Sequence, residues 1–202
     1  MVRLPHPNNL VSTTSRVSAE ARRERNRQAG GVLWFTGLPG AGKTTLALAL
    51  EQRLFEAGAQ VYVLDGDAVR RRLSSDLGFT PADRSENIRR IGEVAALFAD
   101  AGLITIAALI SPYRSDRARA RQAAGGAFHE IYIKAPLEIC EARDPKGHYR
   151  RARAGELADF TGVSAPYEAP EAPDLIIETD KLTVEESLAR VMEYVRAKLR
   201  VG

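Results

Sequence analysis

A chain of 202 residues, with 45% hydrophobic and 27% charged side chains, is long enough for one α/β domain with a full core and too short for two ordinary ones. Its 29 basic against 26 acidic residues leave a net charge of +3 and a pI near 9.2, a modest excess that a small polyanionic substrate explains as well as nucleic acid does, and no nucleic-acid partner is expected. No apolar run approaches bilayer length, so no membrane partner is expected, and the single cysteine, Cys140, excludes an intrachain disulfide framework and points to a reducing, cytoplasmic setting.

Residues 1 to about 15 hold prolines, asparagines, serines and threonines without periodicity and read as a flexible leader. Ser18 then precedes Ala19 to Arg25, a capped helix of alternating charge, so 1–29 form a leader with a short helix and 30–202 the working domain. Gly30-Gly31 launches an apolar strand, Val32 to Thr36, and Leu46, Leu50 and Leu54 repeat at helical spacing beyond it.

Between that strand and that helix lies Gly37-Leu38-Pro39-Gly40-Ala41-Gly42-Lys43-Thr44-Thr45, which fits G-x-x-x-x-G-K-[ST] in the strand-loop-helix context that makes it a phosphate-binding loop. Backbone N–H groups of such a loop and the start of its helix converge on phosphates. Lys43 is expected on the β- and γ-phosphates of a bound nucleotide and the Thr44 hydroxyl on Mg²⁺.

Further along, Gln60 to Leu64 reads as a short buried strand ending in Asp65-Gly66-Asp67, followed by a helix from Ala68 to Leu73. Asp83 to Ala101 carries apolar residues at helical spacing and stops at Gly102. Leu103 to Ile110 is almost wholly apolar, as a central strand covered on both faces would be, and ends at Ser111-Pro112. A helix (Ser115 to Ala124), a strand (Phe128 to Lys134) and a helix (Leu137 to Arg143) follow, with Cys140 expected as a buried structural thiol. Residues 144–158 change character: they hold several cations and almost no core material, which suits a solvated helix or a mobile lid over phosphates. A strand near Leu175 to Ile177 and an amphipathic helix to about Leu199 close the chain. The alternation predicts an α/β fold of the P-loop nucleoside triphosphate hydrolase type, with about five parallel strands flanked by helices.

The loop alone does not separate switch, motor and kinase. Guanine recognition by Asn-Lys-x-Asp is absent, since none of Asn8, Asn9, Asn26 or Asn87 sits in that pattern. The most hydrophobic strand ends in Ser111 rather than the acid of a motor ATPase, which leaves phosphoryl transfer to a small acceptor. Asp67, Arg70, Phe79, Arg84, Asn87 and Arg90 lie in the stretch that must serve that acceptor. Phe79 is suited to stacking on a flat base and the arginines to gripping an anion.

An ordered set of short motifs, Asp65-Gly66-Asp67-Ala68-Val69-Arg70, Leu77-Gly78-Phe79, Arg84 to Arg90, Phe98 to Gly102, Ile110-Ser111-Pro112, Asp144 to Gly147, Ala152 to Glu156 and Phe160-Thr161-Gly162, resembles the adenylylsulfate (APS) kinase family over roughly residues 30 to 198. The resemblance implies transfer of the γ-phosphoryl group of MgATP to the ribose 3′-hydroxyl of adenosine 5′-phosphosulfate, giving 3′-phosphoadenylyl sulfate and ADP in sulfate assimilation. It implies that Asp67, Arg70, Phe79, Arg84, Asn87, Ile110, Ser111, Lys146 and Phe160 surround APS, with Phe79 and Phe160 sandwiching its adenine and Arg70 and Arg84 on the phosphosulfate. Asp67 is assigned to the 3′-hydroxyl and Asp65 to the Mg²⁺ shell, two roles that could be exchanged; Lys146 would bridge to the transferring phosphoryl and Arg143 lie against the adenine of ATP.

Ser111 matches a serine proposed in that family as a phosphoenzyme intermediate, but no base adjoins it in sequence, and a substrate hydrogen bond is the preferred reading. A homodimer and functional coupling to an ATP sulfurylase are the partners the resemblance implies. Two departures stand out: Ala68 replaces an asparagine, and His148 an apolar lid residue. A kinase of another small metabolite or nucleoside, and a non-catalytic nucleotide-binding module, are the competing readings.

Overall fold

A computed structural model describes residues 15–201, so the expected leader at residues 1 to about 15 lies almost wholly outside the described residues. Helix α1 (Ala19–Asn26) starts where Ser18 accepts a hydrogen bond from the Ala21 N–H, the capping that the sequence announces. Five strands follow: β1 (Gly31–Thr36), β2 (Val61–Asp65), β3 (Ile104–Ala108), β4 (Phe128–Lys134) and β5 (Leu175–Glu178). They form one sheet in the order β2-β3-β1-β4-β5, and every neighbouring pair is parallel.

Every residue of β1 is buried, because both faces of the sheet are covered. Its side chains alternate between two cores. Leu33 and Phe35 pack with α2 (Lys43–Glu56) and α8 (Val184–Leu199), through Leu46, Leu50, Val191 and Val195. Val32 and Trp34 pack on the other face with Ile88, Ile91 and Ala95 of α4 (Pro81–Asp100) and Ala120 of α5 (Arg114–Ala124).

Three expectations are corrected. β2 is an edge strand rather than a buried one: β3 inserts between it and β1, and Tyr62 is exposed, leaning on Phe98 with ring centroids 6.1 Å apart. The Glu51 side chain covers part of that edge by accepting the Val63 N–H at 3.0 Å. α3 spans only Gly66–Arg70, since Asp65 caps its start and the chain turns beyond Val69, with the Arg72 and Ser74 N–H groups both reaching the Val69 carbonyl. The 144–158 segment has core material after all. Its helix α7 (His148–Arg153) buries Tyr149 to 1% exposure together with Ala152.

Other limits shift by a few residues. α4 begins at Pro81, whose missing N–H costs nothing in a first turn capped by Thr80. α6 (Leu137–Arg143) and β4 have the expected limits. Cys140 of α6 is fully buried, and burial pushes its thiol up.

The parallel order puts five carboxyl strand ends along one edge. Gly37 follows β1, Asp65 ends β2, Ile110 and Ser111 follow β3, α6 and Lys146 follow β4, and Thr179 follows β5. Open α/β sheets bind ligands along that edge.

Candidate active site

Two glycines of the first loop are fixed by close approach. A Cβ at Gly37 would lie 2.2 Å from the Ile133 carbonyl oxygen, and one at Gly40 would lie 2.7 Å from that of Cys140. Gly40 also sits at φ 78°, a conformation open to glycine and costly to alanine. Gly42 precedes α2, while Ala41 is buried and its carbonyl accepts the Thr179 hydroxyl at 2.8 Å.

Pro39 is held by Tyr149, whose hydroxyl donates to the Pro39 carbonyl at 3.0 Å. Leu38 packs on the core. Arg143 donates to the Thr179 carbonyl at 2.6 Å, with Gly40 nearby at 3.5 Å. That places Arg143 on the rim of the loop.

Lys43 is buried inside the loop, its Nζ donating to the carbonyls of Gly37 at 2.9 Å and Leu38 at 2.7 Å. Burial lowers the ammonium to about 8. Thr44 and Thr45 are exposed at the helix start, and the Thr44 hydroxyl donates to Asp65 Oδ2 at 2.9 Å. The other Asp65 oxygen accepts the N–H groups of Asp67 at 3.0 Å and Ala68 at 3.3 Å. Position 68 thus contributes its backbone to the aspartate's orientation.

Asp67 and Lys146 form an ion pair across the mouth of the site, joining α3 to the turn before α7. The hydrogen bond from Lys146 holds the Asp67 carboxyl below its ordinary value. Arg70 donates to the Gly78 carbonyl at 2.7 Å and stacks on the Phe79 ring, 4.4 Å from its centroid. Phe79 itself is 64% exposed.

Arg84 joins the two loops that carry the expected base platforms. It donates to the Phe79 carbonyl at 2.9 Å, to the Thr161 hydroxyl at 2.8 Å and to the Asp159 carbonyl. Phe160 lies between these last two partners and meets Tyr149 edge-on, ring centroids 5.1 Å apart. Asn87 is buried, and its Oδ1 lacks a hydrogen-bond partner. Arg90, by contrast, is taken by Asp76 and Glu86 and serves to pin the 71–78 loop to α4.

Ser111 stands apart from the other expected residues. It is 1% exposed and sits at φ 40°. Its hydroxyl is engaged inward, between Trp34 Nε1 at 3.1 Å and Thr36 Oγ1 at 3.0 Å. The neighbouring Ile110 carbonyl accepts the Thr36 hydroxyl at 2.7 Å.

Sequence reasoning missed Tyr149, Thr179, Trp34, Thr36 and Tyr167. Tyr149 had a signal, a lone aromatic in a cationic stretch. The others sit in strands or loops whose composition is ordinary, and only the sheet order brings them to the site.

Comparison with known proteins gives the same assignment from an independent direction. Residues 29–178 match the family model for adenylylsulphate kinase. A probable adenylyl-sulfate kinase of Halalkalibacterium halodurans is 53% identical over 96% of this chain and 95% of its own length. An adenylyl-sulfate kinase of Geotalea uraniireducens is 56% identical over 89% and 86%. Among solved structures, the Mycobacterium tuberculosis APS kinase CysC in complex with AMPPNP and APS superposes with a TM-score of 0.79 at 45% identity, covering 82% of this chain and 96% of that one. With a phosphate loop, an acidic pair at the end of β2 and a lysine facing it across the strand ends, matched over nearly the whole domain, this chain belongs to the adenylylsulphate kinase family.

Proposed function

We propose that this protein transfers the γ-phosphoryl group of ATP to the 3′-hydroxyl of adenosine 5′-phosphosulfate, forming 3′-phosphoadenylyl sulfate and ADP. The observation that carries the reading is the Asp67–Lys146 contact opposite the Thr44–Asp65 pair, which sets a carboxylate and a cation where donor and acceptor must meet. The M. tuberculosis APS kinase, on which this chain superposes, was solved in complex with AMPPNP and APS.

In this account the γ-phosphorus forms a bond to the 3′-oxygen as its bond to the β,γ-bridging oxygen breaks, and the acceptor proton leaves toward Asp67. Lys43 gives up its two loop carbonyls for the β- and γ-phosphates, and Lys146 leaves Asp67 for the phosphoryl in transfer. Arg143 lies beside the adenine of ATP. On the acceptor side, Phe79 and Phe160 take the adenine of APS, and Arg70, Arg84, Asn87 and Ile110 line the rest. Of these, Asn87 has an open acceptor for a ligand donor, whereas Arg70 and Arg84 must exchange protein partners to meet the phosphosulfate.

Mg²⁺ fits the residues present. A hydroxyl and a carboxylate, Thr44 and Asp65, adjoin the loop and offer hard oxygens. Among the described residues no group of three or more His, Cys, Asp or Glu forms a cage, which suits an ion held mainly by phosphates and water. Bound there, it would neutralise charge on the β- and γ-phosphates.

The test is a coupled ADP-release assay with MgATP, with and without APS, alongside a panel of nucleosides and small metabolites. ADP release that depends on APS, with product mass increased by one phosphate, is expected. A folded, nucleotide-binding protein that APS does not stimulate, or one that prefers another acceptor, would refute the assignment.

A further inference from the structure

The hydroxyl at the end of β1 links the two halves of the site. Thr36 is fully buried, its hydroxyl is engaged by protein partners, and it immediately precedes Gly37 of the phosphate loop. Its Oγ1 lies 2.7 Å from the Ile110 carbonyl, 3.0 Å from Ser111 Oγ and 3.1 Å from Tyr167 Oη.

The direction of each hydrogen bond follows by elimination. Indole Nε1 of Trp34 only donates, so Ser111 Oγ accepts from it. The Ile110 carbonyl only accepts, so the single Thr36 proton goes there. Ser111 and Tyr167 must then both donate to Thr36. The result is a directed chain, Trp34 to Ser111 to Thr36 to Ile110, in which every hydroxyl proton is committed and neighbouring bonds reinforce one another.

Ser111 needs such support. A φ of 40° in a non-glycine residue is strained backbone that persists only where surroundings impose it. Arg117, itself buried, adds a bond to the Ser111 carbonyl at 2.7 Å. The Tyr167 ring is held in turn by stacking on Tyr132, with centroids 6.1 Å apart.

We propose that Thr36 and Tyr167 are positioning residues that hold the Ile110–Ser111 turn in the form that receives the acceptor nucleotide, anchoring that turn to the end of β1. The inference rests on the phosphotransferase reading above. It also gives Ser111 a role as a fixed node, its proton given to Thr36 and withheld from the site.

The experiment compares Thr36→Val, Thr36→Ser and Tyr167→Phe with the wild type in three readouts. These are kcat/KM for APS, the Kd of a non-hydrolysable ATP analogue, and the emission of Trp34, the only tryptophan in the chain and a direct partner in the network. Thr36→Val should lower kcat/KM for APS roughly tenfold, as expected when buried donors lose their acceptor. Analogue Kd should stay within about twofold, Trp34 emission should shift, and Thr36→Ser should restore all three. Tyr167→Phe, which keeps the ring, should give a smaller loss of about threefold in the same direction.

Wild-type kinetics for APS in both Thr36→Val and Tyr167→Phe would overturn the proposal. So would a Thr36→Ser variant as impaired as Thr36→Val, or a loss shared equally with analogue binding. If Thr36→Val does not fold, Tyr167→Phe and Thr36→Ser decide alone. A wild type without APS-dependent turnover overturns the activity assignment itself, and is thereby told apart from failure of the positioning role.

Discussion

The two sides of this site are built by different physics. On the donor side the loop from Gly37 to Gly42 is shaped by backbone contacts: Gly37 against the Ile133 carbonyl, Gly40 against Cys140, and Pro39 and Ala41 tied to Tyr149 and Thr179. On the acceptor side the contacts are between charged or exposed groups: Asp67 with Lys146, Arg70 on Phe79, Arg84 between two loops. Steric contacts with neighbouring backbone do not exchange. Exposed ion pairs are worth little and exchange readily for a ligand's charges. The backbone of the donor loop is therefore ready-made, with only the Lys43 ammonium changing partners, whereas the acceptor surface trades its internal partners for those of the substrate.

The comparison can be broken most sharply at Lys43. Lys43→Ala should lower turnover by roughly a thousandfold or more, because its ammonium is the cation held inside the loop, on the Gly37 and Leu38 carbonyls, where the transferring phosphates need their charge balanced. A loss below about tenfold in the coupled assay would mean that the donor side does not depend on the loop as built.

Paired substitutions sharpen the contrast in stability. Gly40→Ala puts a Cβ 2.7 Å from a backbone oxygen at φ 78°, and should cost on the order of 2–3 kcal/mol of unfolding free energy in denaturant titration. Phe79→Ala removes a largely exposed ring and should stay within about 0.5 kcal/mol of the wild type while raising KM for APS roughly tenfold. The reverse pattern would mean that the acceptor loop is structural and the donor loop adaptable.

A smaller effect concerns pH. The Lys43 ammonium is held at about 8 by burial, against an ordinary value of 10.5. In the empty protein it loses its proton as pH rises through about 8, so nucleotide affinity should weaken above that point by up to about tenfold per unit. Near pH 8, binding should draw in a proton, visible as a buffer-dependent calorimetric enthalpy. Stability has the opposite sign: between these two values the folded chain holds fewer protons than the unfolded one, so the Lys43 contribution to stability rises with pH. Calorimetry without proton uptake would place the Lys43 ammonium nearer its ordinary value.

How much of this was legible in the sequence follows the same division. The phosphate loop, β4, α6 and the Ser18 cap are local patterns, and each stands where the residues place it. The edge position of β2 was not legible, since Gln60 to Leu64 is apolar enough for an interior strand and only the insertion of β3 leaves it with one neighbour. The cationic 144–158 stretch concealed Tyr149, because composition does not say which single aromatic turns inward. Ser111 could be found but not oriented: the partners that turn its hydroxyl away from the site are Trp34 and Thr36, over seventy residues earlier.

Asp67→Asn offers the most direct test of the division between a ready-made donor side and an exchangeable acceptor side. Two-substrate kinetics should show kcat falling roughly a hundredfold or more while the Kd of a non-hydrolysable ATP analogue stays within about twofold. Equal losses in turnover and nucleotide affinity would contradict the account, placing Asp67 on the donor side.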